Sequence, residues 1–270
     1  MDHDEVLTRT ADLPDAVLRY ADHPDGVLDV HLPPAGDASP WPVVVLLHGG
    51  FWRAAYDRVH TRPLAVALAD AGFVVATPEY RRVGAGGGWP TTLDDVAAAV
   101  AAVPGLLRGL GVTVTTTTVV GHSAGGHLAL WLAGRGHRPA DDAAGPGRVV
   151  ALAPVGHLRE AARANLGEGA TQALLGGGPE QVPERYDAAD PATLLTTPVE
   201  REVVVVHGTL DEDVPVDNSR ALVAACPQVR LVELPGAEHV DVIDPLSVAW
   251  PAVLAAVRGP ASGAGERLEA

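Results

Sequence analysis

The chain predicts an α/β fold, a mostly parallel sheet of about eight strands flanked by helices. Short runs of branched apolar residues alternate with helix-like segments along most of its 270 residues. Some runs, such as Val43-Val44-Val45-Leu46-Leu47, are apolar without alternation, as strands covered on both faces must be. A third observation is the pentapeptide Gly121-His122-Ser123-Ala124-Gly125, placed where a strand-like run gives way to a helix-like one.

The elements follow in order. Residues 1–25 are polar, with Pro14 and Pro24, and read as a surface segment holding a short helix around Asp15 to Tyr20. Val27 to Leu32 alternates and is a strand ended by Pro33-Pro34. Val43 to Leu47 is a buried strand, Leu64 to Ala71 a helix closed by Gly72, and Phe73 to Ala76 the next strand. Leu93 to Val103 is helical, and Val112 to Val120 is the strand that feeds the pentapeptide. Leu128 to Ala133 belongs to the helix that leaves it. Val149 to Ala153, Val203 to Val206 and Val229 to Leu234 are further strands; Ser219 to Ala225 and Ser247 to Val257 are helices. Such alternation means parallel βαβ units wound right-handedly, with ligands at the carboxyl ends of the strands. The expected organisation is one domain over residues 1–258. Residues 155–198 hold no strand-like run and are expected to form a cap, and the Gly- and Pro-containing tail 259–270 is expected to be disordered.

Composition excludes several classes. Net charge is −15, with 34 acidic residues against 19 basic ones, which leaves no basic face for nucleic acid or an anionic membrane. Cys226 is alone, so neither an intrachain disulfide nor a cysteine metal site is expected. The opening Met1-Asp2-His3-Asp4-Glu5 lacks the basic and apolar regions of a secretory signal. No apolar run reaches the roughly 20 residues that span a bilayer, so the expectation is a cytoplasmic protein, monomer or homodimer. No His pair has H-E-x-x-H spacing, so no metal is expected. Gly84 to Gly88 lacks the lysine of a phosphate loop, and no cofactor is expected. The pairs Asp94-Asp95 and Asp141-Asp142 are adjacent in sequence and point apart, unlike the facing carboxylates of a glycosidase.

The pentapeptide carries the chemistry. The chain has 5 serines and 30 glycines, so chance supplies only about 0.06 matches to G-x-S-x-G. A serine on a tight strand-to-helix turn is lifted above the sheet as a nucleophile. It needs a base to take its proton and an acid to orient that base. After the strand Val203 to Val206 comes a loop with Asp211 and Asp213, and after Val229 to Leu234 one with His239. Ser123, an aspartate and His239 therefore form the candidate triad. Asp213 competes with Asp211 but is also placed to cap the helix at Ser219. His122 is read as packed in the turn and His207 as a satisfied core histidine. The oxyanion donors are the N–H of Ala124 and those of Gly50 and Phe51, in the loop His48-Gly49-Gly50-Phe51-Trp52 opposite the turn. Trp52 and Trp89 are placed as walls of an aryl pocket.

These residues resemble the α/β-hydrolase superfamily from Val27 to Val257. His48-Gly49-Gly50-Phe51-Trp52 looks like the H-G-G-x-W motif of kynurenine formamidase and related small carboxylesterases, and Gly121 to Ala129 resembles their elbow and following helix. His207-Gly208-x-x-Asp211-x-x-Val214-Pro215 matches the superfamily's acid loop and selects Asp211 over Asp213. Glu79-Tyr80-Arg81, Pro90 and Asp95 are similar to a segment of hormone-sensitive-lipase-like esterases, and Arg185 to Pro191 to the stretch that closes their cap. The resemblance implies a cofactor-free serine hydrolase of a small-acyl ester or amide, formamidase among them. A short-peptide exopeptidase, an acyltransferase or cyclase using the same triad, and a non-catalytic binding protein on this scaffold are the rival readings.

Overall fold

The structure, a computed structural model, describes residues 3–34, 40–135 and 147–260. The tail beyond residue 260 and the Asp141-Asp142 pair lie outside them. In chain order the elements are α1 (His3–Thr8), β1 (Ala16–Arg19), β2 (Val27–His31), β3 (Trp41–Leu47), α2 (Arg62–Asp70), β4 (Val74–Pro78), α3 (Thr91–Gly109), β5 (Val114–His122) and α4 (Ala124–Gly134). They continue with β6 (Arg148–Leu152), α5 (Leu158–Arg163), α6 (Ala170–Leu175), α7 (Pro183–Ala189), α8 (Pro191–Leu194), β7 (Glu202–Gly208), α9 (Asp217–Ala225), β8 (Arg230–Leu234) and α10 (Trp250–Arg258).

Among the described residues, eight strands form one sheet in the order β1-β2-β4-β3-β5-β6-β7-β8. The pairs β1–β2 and β2–β4 are antiparallel and the rest parallel. The apolar run of β3 is explained by its two faces. Val43, Val45 and Leu47 join one core with Val96, Leu107, Leu128 and Leu222, while Val44 and Leu46 join another with Leu64, Leu68 and Val253. Burying a leucine or valine side chain contributes about 1.5–3 kcal/mol, so covering both faces favours uninterrupted aliphatics.

Three expectations need correction. Asp15 to Tyr20 is not helical: Ala16–Arg19 pairs with β2, and Asp15 N–H donates to the Val30 carbonyl at 2.9 Å. The half-buried Ala16 and Leu18 alternate with the exposed Val17 and Arg19, a period of two that the polar surroundings disguised. Nor does α3 stop near Val103. It runs through Pro104 to Gly109, because the buried stripe Val96, Ala99, Val103 continues to Leu107 and outweighs the lost amide. The helix α1, unforeseen, buries Val6 against the core of the α2 face. Residues 155–198 carry no strand but four short helices, α5 to α8, and none of the helices described is long and apolar enough to cross a membrane.

Candidate active site

Ser123 stands between β5 and α4 with φ 54° and ψ −115°, a left-handed conformation that costs a non-glycine residue on the order of 1–3 kcal/mol. The surroundings hold it there. Ser123 N–H donates to the Leu152 carbonyl at 2.8 Å, and its own carbonyl accepts from His127 N–H at 3.0 Å. The flanking glycines have no room for side chains. A Cβ on Gly121 would meet the Gly125 carbonyl oxygen at 2.1 Å, and one on Gly125 the Leu47 carbonyl oxygen at 2.2 Å. The helix begins at Ala124, whose N–H, like every first-turn amide, has no partner inside the helix.

The candidate acid and base, Asp211 and His239, meet at the ends of β7 and β8. His239 Nδ1–H donates to Asp211 Oδ2 at 2.6 Å, which leaves Nε2 as the free nitrogen of the ring. Asp211 accepts two further bonds, from His207 Nε2–H at 3.0 Å and from Val214 N–H at 2.8 Å. Burial pushes the Asp211 carboxyl up, but His207 and His239 outweigh it and hold the group well below the usual carboxylate range. Asp213 takes no part in this pairing, and the expected helix cap is not there either: α9 starts at Asp217, with Val216 before it. Asp213 instead lines the cleft beside His239.

Two histidines read as packing residues support this pair. His207 is fully buried; its Nε2–H also donates to the Val214 carbonyl at 2.8 Å, and Ser219 Oγ bonds its Nδ1 at 2.7 Å. It is satisfied, as expected, in part by Asp211, the candidate acid. His122 Nε2–H donates to the His239 carbonyl at 3.1 Å and so fixes the backbone of the base. Burial, and then the neighbouring His239, push the His122 pKa well below its ordinary value, so this link is made by a neutral ring. Its position next to Ser123 was the only sequence signal.

The loop after β3 lies against the turn: a Cβ on Gly49 would stand 3.2 Å from Ser123 Cβ. Gly50, Phe51 and Trp52 have φ of 103°, 48° and 57°, three consecutive left-handed residues. Gly50 is required twice over, since a Cβ there would also meet Tyr56 Cβ at 2.3 Å. The loop is anchored by His48, stacked on Tyr80 at 4.3 Å between centroids and bonded through Nε2–H to Glu79 Oε1 at 2.8 Å. Tyr80 O–H donates to the His48 carbonyl at 2.8 Å. Burial alone would raise the Glu79 pKa, but His48 and Arg82 hold it at about 2. Glu79 was noticed only through a family motif; its buried pairing with His48 has no signature in spacing.

Ser123 and His239 open onto a cleft of about 80 Å³ lined also by Leu7, Phe51, Tyr56, His60 and Val240. A larger cleft of about 590 Å³ adjoins it, sharing His239, Asp213 and Val240 and walled by Thr209, Leu210, Glu212 and Glu238. Trp52 does not line either one. It is fully buried, edge-on to His127 at 5.2 Å, with an indole N–H that finds no partner among the described residues. Trp89 packs half-buried against the same core and is likewise absent from both clefts. The expected aryl walls are therefore replaced by Phe51, Tyr56 and His60, whose loop follows the glycine pair. Residues 155–198 reach this region through Gly167, which presses on the Phe51 ring, and through the Gly167 and Glu168 carbonyls, which accept from Arg53. Among the described residues no group of three or more His, Cys, Asp or Glu side chains is arranged to hold a metal ion.

The architecture is that of known esterase structures. A truncated carbohydrate esterase from gut microbiota superposes with a TM-score of 0.72 at 18% identity, over 89% of this chain and 94% of that one. Esterase B from Lactobacillus rhamnosis superposes with a TM-score of 0.71 at 19% identity, over 91% of this chain and 84% of that one. Likeness at such identity shows a shared fold, the α/β-hydrolase fold expected from the motifs. Esterase LipC of Mycobacterium tuberculosis is 27% identical over 242 residues, or 83% of this chain, which spans 59% of that protein's length. The BD-FAE family model matches residues 28–226, a span that holds the His48 loop, Ser123 and Asp211 and stops short of His239. The chain belongs to the BD-FAE family.

Proposed function

We propose that the chain is a serine esterase that removes a small acyl group through an acyl-enzyme. The observation that carries the reading is the Asp211–His239 bond of 2.6 Å beside Ser123 in a cleft of only about 80 Å³. Asp211 holds the His239 ring with Nε2 available as a base. His239 takes the Ser123 proton as Oγ adds to the acyl carbonyl, and the N–H groups of Gly50, Phe51 and Ala124 bear the charge on its oxygen. His239 then protonates the leaving alcohol, and water activated by the same ring releases the acid. The cleft that holds Ser123 is the smaller of the two, which suits an acyl group of a few heavy atoms. The leaving group belongs in the adjoining cleft, because His239, which must protonate it, is shared by both. The names of its relatives, Esterase LipC and the carbohydrate esterase, support the ester reading.

A second reading, hydrolysis of an N-formyl aryl amide as in kynurenine formamidase, is favoured by the same small cleft with the Phe51 and Tyr56 rings on its wall. The test is kcat/KM on p-nitrophenyl acetate, butyrate and octanoate and on N-formylkynurenine, with fluorophosphonate labelling. Acetate is expected to exceed octanoate by about 10 to 200-fold. Ser123→Ala is expected to lose labelling and about 10⁴-fold or more in rate while keeping the fold. Residual activity within tenfold of wild type would remove Ser123 from the mechanism. A rate that climbs from acetate to octanoate overturns the small-acyl assignment, and selective cleavage of the formamide puts the second reading first.

A further inference from the structure

The helix α1 precedes residues 28–226, the span of the family match. A helix of six residues has no stability of its own in water; docking must hold it. Two anchors do so. Val6, 4% exposed, packs into the core of the α2 face with Val44, Leu46 and Leu64. Arg9 pairs through its guanidinium with Asp244, whose side chain is fully buried in the segment between His239 and α10. Between these anchors Leu7, half-buried, reaches the cleft and lines it together with Ser123, Phe51, Tyr56 and His239. The 155–198 segment lends no side chain to that lining. Through Leu7, α1 therefore supplies part of the cleft wall.

We infer that Leu7 is a specificity-determining residue, the stop that limits the length of the acyl group, held in place by the Arg9–Asp244 pair. The inference rests on the small-acyl reading above. Its side chain is branched and apolar, and the segment that carries it is anchored at Val6 and Arg9 on either side, so it excludes carbon chains by volume. Trimming it lengthens the cleft, and enlarging it shortens the cleft further.

The experiment compares the octanoate-to-acetate and butyrate-to-acetate ratios of kcat/KM, on p-nitrophenyl esters, for the full chain and for Leu7→Ala, Leu7→Phe and Arg9→Ala. Leu7→Ala is expected to raise the octanoate-to-acetate ratio about tenfold or more, the scale of discrimination set by added methylenes. Leu7→Phe is expected to lower the butyrate-to-acetate ratio severalfold, and Arg9→Ala to raise the octanoate ratio by less than Leu7→Ala does. Opposite shifts from the two Leu7 variants cannot come from a general loss of folding. Ratios that stay within twofold of wild type in both Leu7 variants, whatever their melting temperatures, overturn the inference and leave α1 a packing element. If the wild-type chain cleaves none of the esters, the esterase reading fails and this inference with it; an active wild type with unmoved ratios sinks this inference alone.

Discussion

On one side of Ser123, position comes from hydrogen bonds between side chains: Asp211 accepts from His239, His207 and Val214, and His122 holds the His239 carbonyl. On the other side it comes from backbone conformation, with Gly50, Phe51 and Trp52 at φ of 103°, 48° and 57° and no room for a side chain on Gly50 against Tyr56. The first arrangement depends on protons and charge, so it responds to isosteric substitution. The second depends on where a chain of atoms can pass, so it responds to a single added carbon. Both flanks lie at the carboxyl ends of parallel strands, β7 and β8 for the first and β3 for the second.

The largest effect is expected where one proton position decides the outcome. Asp211→Asn keeps the shape but offers His239 Nδ1 an amide in place of a carboxylate, which stabilises the wrong tautomer. A fall of about 10⁴ in kcat is expected. Asp213→Asn changes a residue of the cleft wall and leaves the Asp211–His239 bond in place, and a change of less than about tenfold is expected. Measuring kcat/KM for both variants settles which acid orients the base; if Asp213→Asn is the worse, the side-chain network described above is not the catalytic one.

The flank proposed to hold the oxyanion is broken by Gly50→Ala, which adds a Cβ at φ 103° against Tyr56 at 2.3 Å. Loss of a preorganised donor costs about 10² to 10³ in kcat, and a drop near the lower figure is expected. Gly72→Ala is the matched control, with φ 98° and nothing within 4 Å of the added carbon. It should cost about 1 kcal/mol of stability and no activity. Equal kinetic losses in the two would mean that backbone strain, and not the placing of the loop beside Ser123, explains the Gly50 result.

The same contrast explains what could be read beforehand. The placing of Ser123, Asp211 and His239 at one end of the sheet was legible because each follows an apolar strand, and the sheet brings strand ends together. The Gly50 loop was legible from its paired glycines. Trp52 was misplaced: large aromatic rings signal both cores and clefts, and the left-handed turn at Phe51 and Trp52 decides which ring faces in. Leu7, Tyr56 and His60 meet the cleft through long-range packing, which no local spacing reports. The short strand Ala16–Arg19 was missed for the same reason, since its stability comes from pairing with β2 across a turn.

A smaller, graded effect concerns pH. Burial, and next the neighbouring His48, lower the His60 pKa to about 4, and burial lowers that of His127 to about 4. The buried His122 is shifted the same way. These rings stay neutral in the folded chain while the unfolded chain binds protons from about pH 6.5 downward. Stability is therefore full above pH 6.5 and is lost as pH falls towards 4, by up to about 1.4 kcal/mol per pH unit for each histidine. Glu79, held at about 2, adds its loss only below about pH 4.5, so the two contributions separate. Urea unfolding at pH 7, 6 and 5 should show the decline, and His127→Gln should make it shallower. A flat profile between pH 7 and 5 would mean that these rings are not buried neutral.

The smallest kinetic effect is expected at Trp52. Its ring is fully buried on the His127 edge and its N–H has no partner among the described residues, so Trp52→Phe removes both a volume and an unsatisfied donor. The cavity term destabilises, and relief of the orphaned N–H, worth about 1–3 kcal/mol, works against it. A net loss no larger than about 2 kcal/mol is expected. Because the ring stands behind the loop and not in the cleft, the octanoate-to-acetate ratio should stay within about twofold of wild type, in contrast to Leu7→Ala. A ratio that moves more than fivefold in Trp52→Phe with little change in melting temperature would return this ring to the acyl site. It would also shift the control of acyl length proposed for Leu7 to the loop after β3.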